Sequence, residues 1–310
     1  MISKNTKIFL AGHNGMVGSA ILKKLKKDGF KNIITVSKKK INLLDQQKVE
    51  KFLKKKKPHI VIVAAARVGG ILANNNFKAN FIYENITIQS NIIHGSYLSG
   101  VKNLLFLGSS CIYPKEAKQP IKESYFMTGP LEETNDAYSI AKIAGAKMCM
   151  EYSKQYRLNY KTLMPANMFG VNDNYDLKSS HFFSALTKKI HIAKIKNKKS
   201  VTLWGNGKAK RELLYVEDFA DACVFFMLKK TKENFINIGS GIEKTIEEFA
   251  KYIMKKLNVK LKIKYDLSKP NGMKRKKLDL SIANKYGWRA KTKLDKAFKE
   301  VYSEYLKLKK

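Results

Sequence analysis

Two side chains suited to carbonyl chemistry lie four residues apart in the middle of the chain. Tyr138 and Lys142 share an i, i+4 spacing, so in a helix they lie on the same face. An ammonium group beside a phenol favours the tyrosinate and lowers the pKa of the tyrosine, which makes the phenol a usable acid for carbonyl reduction. The loop Gly108–Cys111 precedes this pair, and either Ser109 or Ser110 could hydrogen-bond a substrate carbonyl beside Tyr138.

The position of Tyr138 and Lys142 in the chain, rather than their spacing, singles them out. The Tyr-x-x-x-Lys spacing alone is common in a chain with 15 tyrosines and many more lysines. The spacing occurs four times, close to the number expected by chance. Only Tyr138 and Lys142 lie in the first half, one element after a loop at the C-terminal end of a predicted strand. Ligands of open α/β sheets bind beyond those strand ends, so this pair marks the predicted site.

A glycine-rich segment follows the first predicted strand and opens the first predicted helix. A helix N-terminus offers free N–H groups and the positive end of its dipole to a pyrophosphate. Glycines let the backbone approach the phosphates and let the helix pack on the strand. The segment therefore predicts a dinucleotide site. Its predicted contacts are Gly12, Asn14, Gly15, Met16, Val17 and Gly18.

The end of the second predicted strand bears on the choice between NAD and NADP(H). An acidic residue there would hydrogen-bond the ribose 2′-hydroxyl of NAD. The chain instead has Ser37 followed by Lys38, Lys39 and Lys40. A positive cluster suits a 2′-phosphate, so Lys38 and Lys39 are predicted contacts and NADP(H) is the predicted cofactor.

The elements that must position these residues alternate between strand and helix. Apolar runs predict strands at Lys7–Ala11, Asn32–Ser37, Ile60–Ala66, Asn103–Leu107 and Lys161–Met164. Helical patterns are predicted at Met16–Lys27, Gln46–Lys57, Phe81–Ser99 and Asp136–Tyr156. This alternation is typical of βαβ units, so the predicted fold class is α/β, with a Rossmann-type doubly wound parallel sheet.

The second half is less regular and predicts a smaller, mainly C-terminal substrate domain. A helix is predicted at Phe182–Lys196, and Leu213–Val216 and Phe235–Gly239 are short apolar runs expected to rejoin the first sheet. The cofactor-binding domain is therefore assigned to residues 1–168 plus 211–240. The substrate domain is assigned to residues 169–210 plus 241–310.

Charge is the unusual feature of the composition, since 61 basic against 25 acidic residues give a net charge of +36. Nucleic-acid binding is one interpretation. However, only five of the basic residues are arginines, on which sequence-specific DNA readers usually rely. Lysine, asparagine and isoleucine share A/T-rich codons, so a genome bias accounts for the excess. We therefore predict no specific nucleic-acid partner, although the positive field favours anionic ligands.

The remaining composition indicates an ordinary globular protein. The three cysteines share no Cys-x-x-Cys spacing, which predicts reduced thiols, no disulfide and no metal site. No apolar run approaches the roughly 18–20 residues of a membrane span. The N-terminus lacks the pattern of a signal peptide. We expect a cytoplasmic protein with no membrane partner.

Several segments together resemble the extended short-chain dehydrogenase/reductases and, among them, the GDP-L-fucose synthase family. The glycine loop and the Tyr-x-x-x-Lys pair are shared by the whole superfamily, whereas the Ser-Ser-Cys-Ile-Tyr-Pro segment is specific to the narrower family. The resemblance extends over nearly the whole chain. The segments that carry it are Ala11–Gly18, Ala64–Ile71, Leu107–Lys115, Tyr138–Gly145, Asn172–Asn174, Ser180–His181, Trp204–Gly205 and Arg211–Glu212.

The resemblance implies a bifunctional epimerase-reductase that converts GDP-4-keto-6-deoxy-D-mannose to GDP-L-fucose. Such enzymes epimerise C3 and C5 and then reduce the C4 ketone with NADPH. Ser109, Tyr138 and Lys142 would serve the reduction. Cys111 and His181 would be the separate acid–base pair, since a thiol and an imidazole both titrate near neutral pH. The family is homodimeric, pairing the helices around Phe81–Ser99 and Asp136–Tyr156.

The resemblance also implies further contacts, some at positions where this chain departs from the family. The family often has arginine at Asn14 and at Lys189, lysine at Arg67, and aspartate at Asn271. Contacts with the nucleotide-sugar are implied for Lys189, Trp204, Arg211 and Asn271. Further contacts with the cofactor are implied for Ala64, Ala65, Ala66, Leu107, Gly108, Ser109, Ser110, Lys142, Pro165, Ala166, Asn167, Met168 and His181.

Two alternatives stay open at the level of the sequence. A related nucleotide-sugar 4,6-dehydratase or 4-epimerase would keep Tyr138 and Lys142 but recycle its cofactor internally, and it would not need Cys111 and His181 as a pair. A non-catalytic, basic nucleic-acid-binding protein on a Rossmann fold would explain the charge. Net consumption of NADPH separates the first alternative, and salt-screened DNA binding without activity would support the second.

Overall fold

Strands and helices alternate along the chain in the computed structural model, which describes residues 2–308; residues 1, 309 and 310, at the outer ends of the two predicted domains, lie outside it. The strands are β1 (Ile8–Ala11), β2 (Ile33–Thr35), β3 (Ile60–Val63), β4 (Asn103–Leu107), β5 (Asn159–Pro165), β6 (Asn167–Phe169), β7 (Ser200–Trp204), β8 (Lys210–Tyr215), β9 (Phe235–Ile238), β10 (Glu243–Thr245), β11 (Lys262–Asp266) and β12 (Arg275–Lys276). The helices are α1 (Met16–Lys27), α2 (Gln46–Lys56), α3 (Ile71–Asn76), α4 (Lys78–Leu98), α5 (Asp136–Tyr156), α6 (Phe182–Ile195), α7 (Val216–Leu228), α8 (Ile246–Lys256), α9 (Ser281–Lys285) and α10 (Leu294–Lys307).

The central sheet has six strands in the order β2-β1-β3-β4-β5-β9, and every neighbouring pair is parallel. Every residue of β1 and β3 is buried, as strands covered on both faces require. The strand order changes direction between β1 and β3, which is where ligands bind in such folds. The predicted Rossmann-type doubly wound sheet is confirmed.

The helices pack in two groups that frame this sheet. α1 packs on α7, whereas α4 packs on both α2 and α5. The bounds of α1 and α5 match the predicted helices, and α4 begins three residues before its predicted start. The short helix α3, just before α4, was not predicted. Over residues 2–308, no helix is both long and apolar enough to cross a membrane.

A second sheet lies outside the central one and corrects one expectation. β9 joins the central sheet beside β5, as predicted. β8 does not, because it pairs with β6, β10 and β12 instead. The apolar run Leu213–Val216 indicated a buried strand, but β9 takes the position beside β5, and β8 pairs with β10, which follows β9 directly. β7 and β11 form a separate parallel pair. The two-domain division stays a prediction.

Candidate active site

The glycine loop is shaped by close backbone contacts at the point where the strand order changes. Gly12 has φ +87°, and a Cβ atom there would lie 2.5 Å from the backbone nitrogen of Ala65, just after β3. A Cβ atom on Gly18 would lie 2.0 Å from the carbonyl oxygen of Gly12. Only glycine fits either position, so the loop lies tightly between β3 and the start of α1.

The first turn of α1 is open to an anion. Gly15 is the N-cap residue, no side chain caps the helix, and its first turn has no acidic residue. A Cβ atom on Gly15 would meet only the carbonyl oxygen of Gly12, at 3.6 Å, and Asn14 beside it is exposed. The N–H groups of this turn thus fit the pyrophosphate of a dinucleotide.

Lys38, Lys39 and Lys40 are exposed in a turn after β2, where the amide of Lys40 donates to the carbonyl of Ser37. The first acidic residue after β2 is Asp45, whose carboxylate caps α2 and accepts from the amide of Lys48. No carboxylate in the described loop from β2 to Asp45 competes with a 2′-phosphate, so the turn fits NADP(H).

Replacing both Lys38 and Lys39 by alanine is expected to raise KM for NADPH about tenfold, because two ammonium groups near the phosphate are lost. KM for NADH, which lacks that phosphate, is expected to change little. Steady-state kinetics with both cofactors measures this. The double variant Lys55→Ala/Lys56→Ala removes the same charge from the end of α2 and is the control. An equal rise in KM for NADH and NADPH would contradict a contact with the 2′-phosphate.

The predicted reduction residues meet at the C-terminal end of β4. Tyr138 lies in the first turn of α5, with its ring edge-on to Phe81 at 6.2 Å. Lys142 is buried one turn later, and its ammonium group donates to the carbonyl of Leu107 at 2.8 Å. Burial lowers the pKa of Lys142 to about 8. The hydroxyl of Ser109 hydrogen-bonds Tyr138, so the three predicted side chains form one cluster.

The expected lowering of the tyrosine pKa is wrong for this structure. Burial and the nearby charge of Cys111 raise the pKa of Tyr138, and the hydrogen bond from Ser109 only partly opposes them. The ammonium group of Lys142 lies 6.0 Å from the centre of the tyrosine ring and is directed at the carbonyl of Leu107. Tyr138 is therefore protonated at neutral pH, which is the form that donates a proton.

The sulfur of Cys111 accepts two N–H donors that sequence reasoning missed. The Nζ atom of Lys276 and the Nδ2 atom of Asn135 each lie 3.4 Å from Sγ. The amide of Cys111 donates to the hydroxyl of Ser109 at 3.2 Å. Burial opposes the thiolate, but Lys276, Ser109 and Arg211 outweigh it and lower the pKa of the Cys111 thiol. No local motif marks Lys276, which lies 165 residues away among many other lysines.

Arg211 is buried beside this cluster and holds a neighbouring loop. Its guanidinium group donates to the carbonyls of Met273 at 2.6 Å, Lys210 at 2.8 Å and Asn271 at 3.2 Å. Burial lowers its pKa, and the charges of Cys111 and Glu132 oppose that. Its predicted contact with the nucleotide-sugar stays a prediction, to which the structure adds a positioning role.

His181 is exposed at the N-cap of α6. The residues before it are fixed, because the amide of Gly70 donates to the carbonyl of Ser179 at 2.7 Å. A Cβ atom on Gly69 would lie 3.2 Å from Phe81, whose ring contacts Tyr138. The segment that carries His181 therefore lies against the Tyr138 side of the cluster.

Asp173 lies close enough to His181 for their charges to interact. Its carboxyl is buried and accepts a hydrogen bond from Ser184. Burial raises the pKa of Asp173, while the charge of His181 and the hydrogen bond from Ser184 oppose that rise. The Asn-Asp-Asn loop thus holds a carboxyl group near the imidazole.

The other predicted substrate contacts form a second group, next to β7. The ammonium group of Lys189 lies over the ring of Trp204, 5.1 Å from its centre. The side-chain oxygen of Asn271 accepts from the amide of Asn206 at 2.9 Å. Since Arg211 donates to the backbone of Asn271, this group is joined to the Cys111 cluster.

The other predicted cofactor contacts lie at the C-terminal ends of neighbouring central strands. Ala64, Ala65 and Ala66 follow β3, Leu107 ends β4 and Gly108 follows it, and Ser110 is buried in the next turn. Pro165 ends β5, Ala166 donates its amide to Ile238, and Asn167 and Met168 begin β6. The glycine loop and the Tyr138 cluster thus lie together at the C-terminal ends of the central strands.

Comparison with known proteins agrees with this arrangement. The model of the NAD dependent epimerase/dehydratase family matches residues 8–239. A GDP-L-fucose synthase from Sinorhizobium fredii is 48% identical over 300 residues, which cover 97% of this chain and 95% of that protein. GDP-L-fucose synthase 1 from Arabidopsis thaliana is 46% identical over 307 residues, which cover 99% and 95%.

A solved structure with the same fold has a cofactor bound. The GDP-mannoheptose C4 reductase MlghC from Campylobacter jejuni, with NADP bound, is 36% identical, with a TM-score of 0.88 over 99% of this chain and 100% of that chain. With the near full-length matches, the fold and the glycine loop lead to one assignment. The chain belongs to the NAD dependent epimerase/dehydratase family and, within it, to the GDP-L-fucose synthases.

Proposed function

We propose that this protein converts GDP-4-keto-6-deoxy-D-mannose to GDP-L-fucose, by epimerising C3 and C5 and reducing the C4 ketone with NADPH. The observation that carries the proposal is the Cys111 sulfur beside Tyr138, since the hydroxyl of Ser109 hydrogen-bonds both side chains. A reductase alone needs the tyrosine, whereas epimerisation needs a second proton-transferring group. A dehydratase or 4-epimerase would not need Cys111.

Cys111 acts as the base in the epimerisation. The C4 ketone acidifies the protons on C3 and C5, so removal of either proton leaves an enolate whose charge lies on the C4 oxygen. The C–H bond breaks, the S–H bond forms, and the electron pair moves to that oxygen. His181 then gives a proton to the opposite face of the carbon while the electron pair returns to it, which inverts it. Cys111 and His181 exchange protons with water before the second carbon reacts. Two donors to the sulfur favour the thiolate that begins this step.

Tyr138 acts as the acid in the reduction. NADPH, when bound, supplies a hydride to C4. The phenol of Tyr138 gives its proton to the C4 oxygen, and Ser109 holds that oxygen by a hydrogen bond. Lys142 holds the end of β4 in place beside Tyr138 by donating a hydrogen bond to the carbonyl of Leu107. The nucleotide part of the substrate is bound by the group at Lys189, Trp204 and Arg211, where the ammonium group of Lys189 lies over the Trp204 ring.

The test is NADPH oxidation with GDP-4-keto-6-deoxy-D-mannose, with the sugar product identified by NMR. GDP-L-fucose as the product supports the whole proposal. An unepimerised 6-deoxy sugar would keep the reductase and reject the role of Cys111 and His181. The absence of net oxidation would favour the dehydratase or 4-epimerase.

The protein is also proposed to act as a homodimer through α4 and α5. These two helices pack on each other, and large apolar side chains on them are exposed, with Tyr83 65% and Ile140 45% accessible. Two such helices from each copy would form a four-helix bundle that covers these side chains. The free thiols of Cys111, Cys149 and Cys223 support a cytoplasmic location.

Replacing Tyr83 by glutamate is expected to dissociate the dimer, because it places a charge in an apolar interface. Analytical ultracentrifugation is expected to show the mass falling from that of two chains to 35.4 kDa. Leu267→Glu is the control, since Leu267 is an exposed apolar residue in the turn after β11, outside these two helices. A wild-type protein that sediments as one chain would reject the dimer.

A further inference from the structure

Lys276 lies in the basic run Lys274–Lys277, and the alternating side-chain directions of the short strand β12 turn it toward Cys111. Successive side chains of a strand point to opposite faces. Arg275 points away and forms a two-pronged ion pair with Glu243, with both N–O distances 2.8 Å. Lys276 points inward, is 7% exposed, and places its ammonium group 3.4 Å from the Cys111 sulfur.

The backbone around Lys276 is held from two sides. On one side β12 pairs with β8, where Lys276 is the partner of Arg211. On the other side, Gln119 donates to the carbonyl of Arg275 at 3.2 Å and accepts from the amide of Lys277 at 2.9 Å. Because this strand is held on both sides, the ammonium group of Lys276 is a fixed positive charge beside the Cys111 sulfur.

We infer that Lys276 is a positioning residue that holds Cys111 as a thiolate for proton abstraction. This inference rests on the proposed function, because it concerns the base of that reaction. Lys276 itself exchanges no proton with the substrate. It acts through the sulfur, whose electron pair takes the proton from C3 or C5.

Charged and titratable groups face Cys111 from β12, from β8, from α5 and from the loop before α5. Lys276 on β12 and Arg211 on β8 are cationic, and Tyr138 on α5 is neutral while protonated. Glu132, in the loop before α5, acts on Arg211 and partly offsets its charge. The net effect lowers the pKa of Cys111, against the effect of burial.

The thiolate also acts on the acid of the second reaction. The charge of Cys111 is one cause of the raised pKa of Tyr138. While the sulfur is ionised, Tyr138 therefore keeps its proton. Once Cys111 has taken a proton from the sugar, this opposition is removed and the phenol becomes a stronger acid. By favouring the thiolate, Lys276 thus keeps Cys111 ionised for the epimerisation while Tyr138 stays protonated for the reduction.

The direct test is the pH dependence of alkylation of Cys111 by iodoacetamide, followed by peptide mass spectrometry. Cys149 and Cys223 are fully buried, so Cys111 gives the signal. In Lys276→Met the midpoint is expected to rise by at least about one pH unit, so the alkylation rate at pH values below the wild-type midpoint falls about tenfold. Lys274→Met, which removes an exposed lysine of the same run, is expected to leave the midpoint unchanged.

Two further variants keep the test decisive if Lys276→Met folds poorly. Lys276→Gln keeps N–H donors at a similar length without the charge, and is also expected to raise the midpoint. Lys276→Arg keeps the charge and is expected to restore it. A midpoint in Lys276→Gln equal to that of the wild type would overturn the inference.

The corresponding catalytic measurement is the exchange of solvent deuterium into C3 and C5 of the keto-sugar. In Lys276→Gln, exchange at pH values below the wild-type midpoint of Cys111 is expected to fall at least about tenfold and to recover as the pH rises, while NADPH oxidation continues. A merely structural role would lower both rates without moving the pH midpoint. If the wild type shows no exchange, the proposed function fails, and the alkylation profile still reports whether Lys276 acts on Cys111.

Discussion

Tyr138→Phe is expected to lower kcat for NADPH-dependent reduction by about three orders of magnitude, roughly 4 kcal/mol in the activation barrier. The variant removes one oxygen atom and keeps the ring that packs on Phe81. In the proposed mechanism the C4 oxygen then loses its proton donor, and Ser109 alone is left to hydrogen-bond it. Stopped-flow measurement of NADPH oxidation with GDP-4-keto-6-deoxy-D-mannose determines the rate.

Epimerisation provides an internal control for Tyr138→Phe. In the proposed mechanism, deuterium exchange at C3 and C5 depends on Cys111 and His181, so it is expected to continue in this variant. Tyr252→Phe is the matched control, because Tyr252 and Lys256 have the same spacing on α8 but lie on the surface beside Asp295. Tyr252→Phe is expected to oxidise NADPH at the rate of the wild type. An undiminished rate in Tyr138→Phe would reject its role as the acid.

Local patterns were sufficient for most strands of the central sheet and for α1, α2, α4 and α5, but not for α7, which packs on α1 and was not predicted. The apolar run Ile60–Val63 is buried over its whole length, so composition alone identifies a strand covered on both faces. α1 begins directly after Gly15 and ends in a lysine-rich turn, and both signals are visible in the sequence. Such elements are encoded by residues within a few positions of one another.

Pairing between distant segments could not be predicted in the same way. β8 is apolar enough to lie in either sheet, and its place depends on β10 and β12, which follow it in the chain. The contact from Lys276 to Cys111 joins β12 of the second sheet to the turn after β4, two segments that lie far apart in the chain. Neither residue has a local spacing that indicates the other, so only the folded backbone brings them together.

The site shows the same division between local and distant information. Tyr138 and Lys142 are one helical turn apart, so their common face was predictable from spacing. Their protonation was not, because burial and the charge of Cys111 raise the pKa of Tyr138 against the expected direction. Electrostatic environment is set by the whole fold, whereas spacing is set by the helix.

Cys111→Ser is expected to lower the rate of epimerisation by about three orders of magnitude and to leave reduction active. A serine hydroxyl keeps the size and the hydrogen bonds of the thiol, but it does not ionise near neutral pH even beside Lys276. The substrate ketone would therefore be reduced without inversion at C3 and C5. NMR of the product is expected to show an unepimerised GDP-6-deoxy sugar in place of GDP-L-fucose.

The nature of the product makes Cys111→Ser decisive, because a folding defect would slow both reactions and could not change which sugar is formed. Cys223→Ala is the control, since Cys223 is a buried thiol on α7 outside the Cys111 cluster, and it is expected to form GDP-L-fucose. Loss of deuterium exchange at C3 and C5 in Cys111→Ser, with NADPH oxidation retained, assigns the base to the sulfur that Lys276 and Asn135 hold. Formation of GDP-L-fucose by Cys111→Ser at the wild-type rate would instead require another base for both carbons.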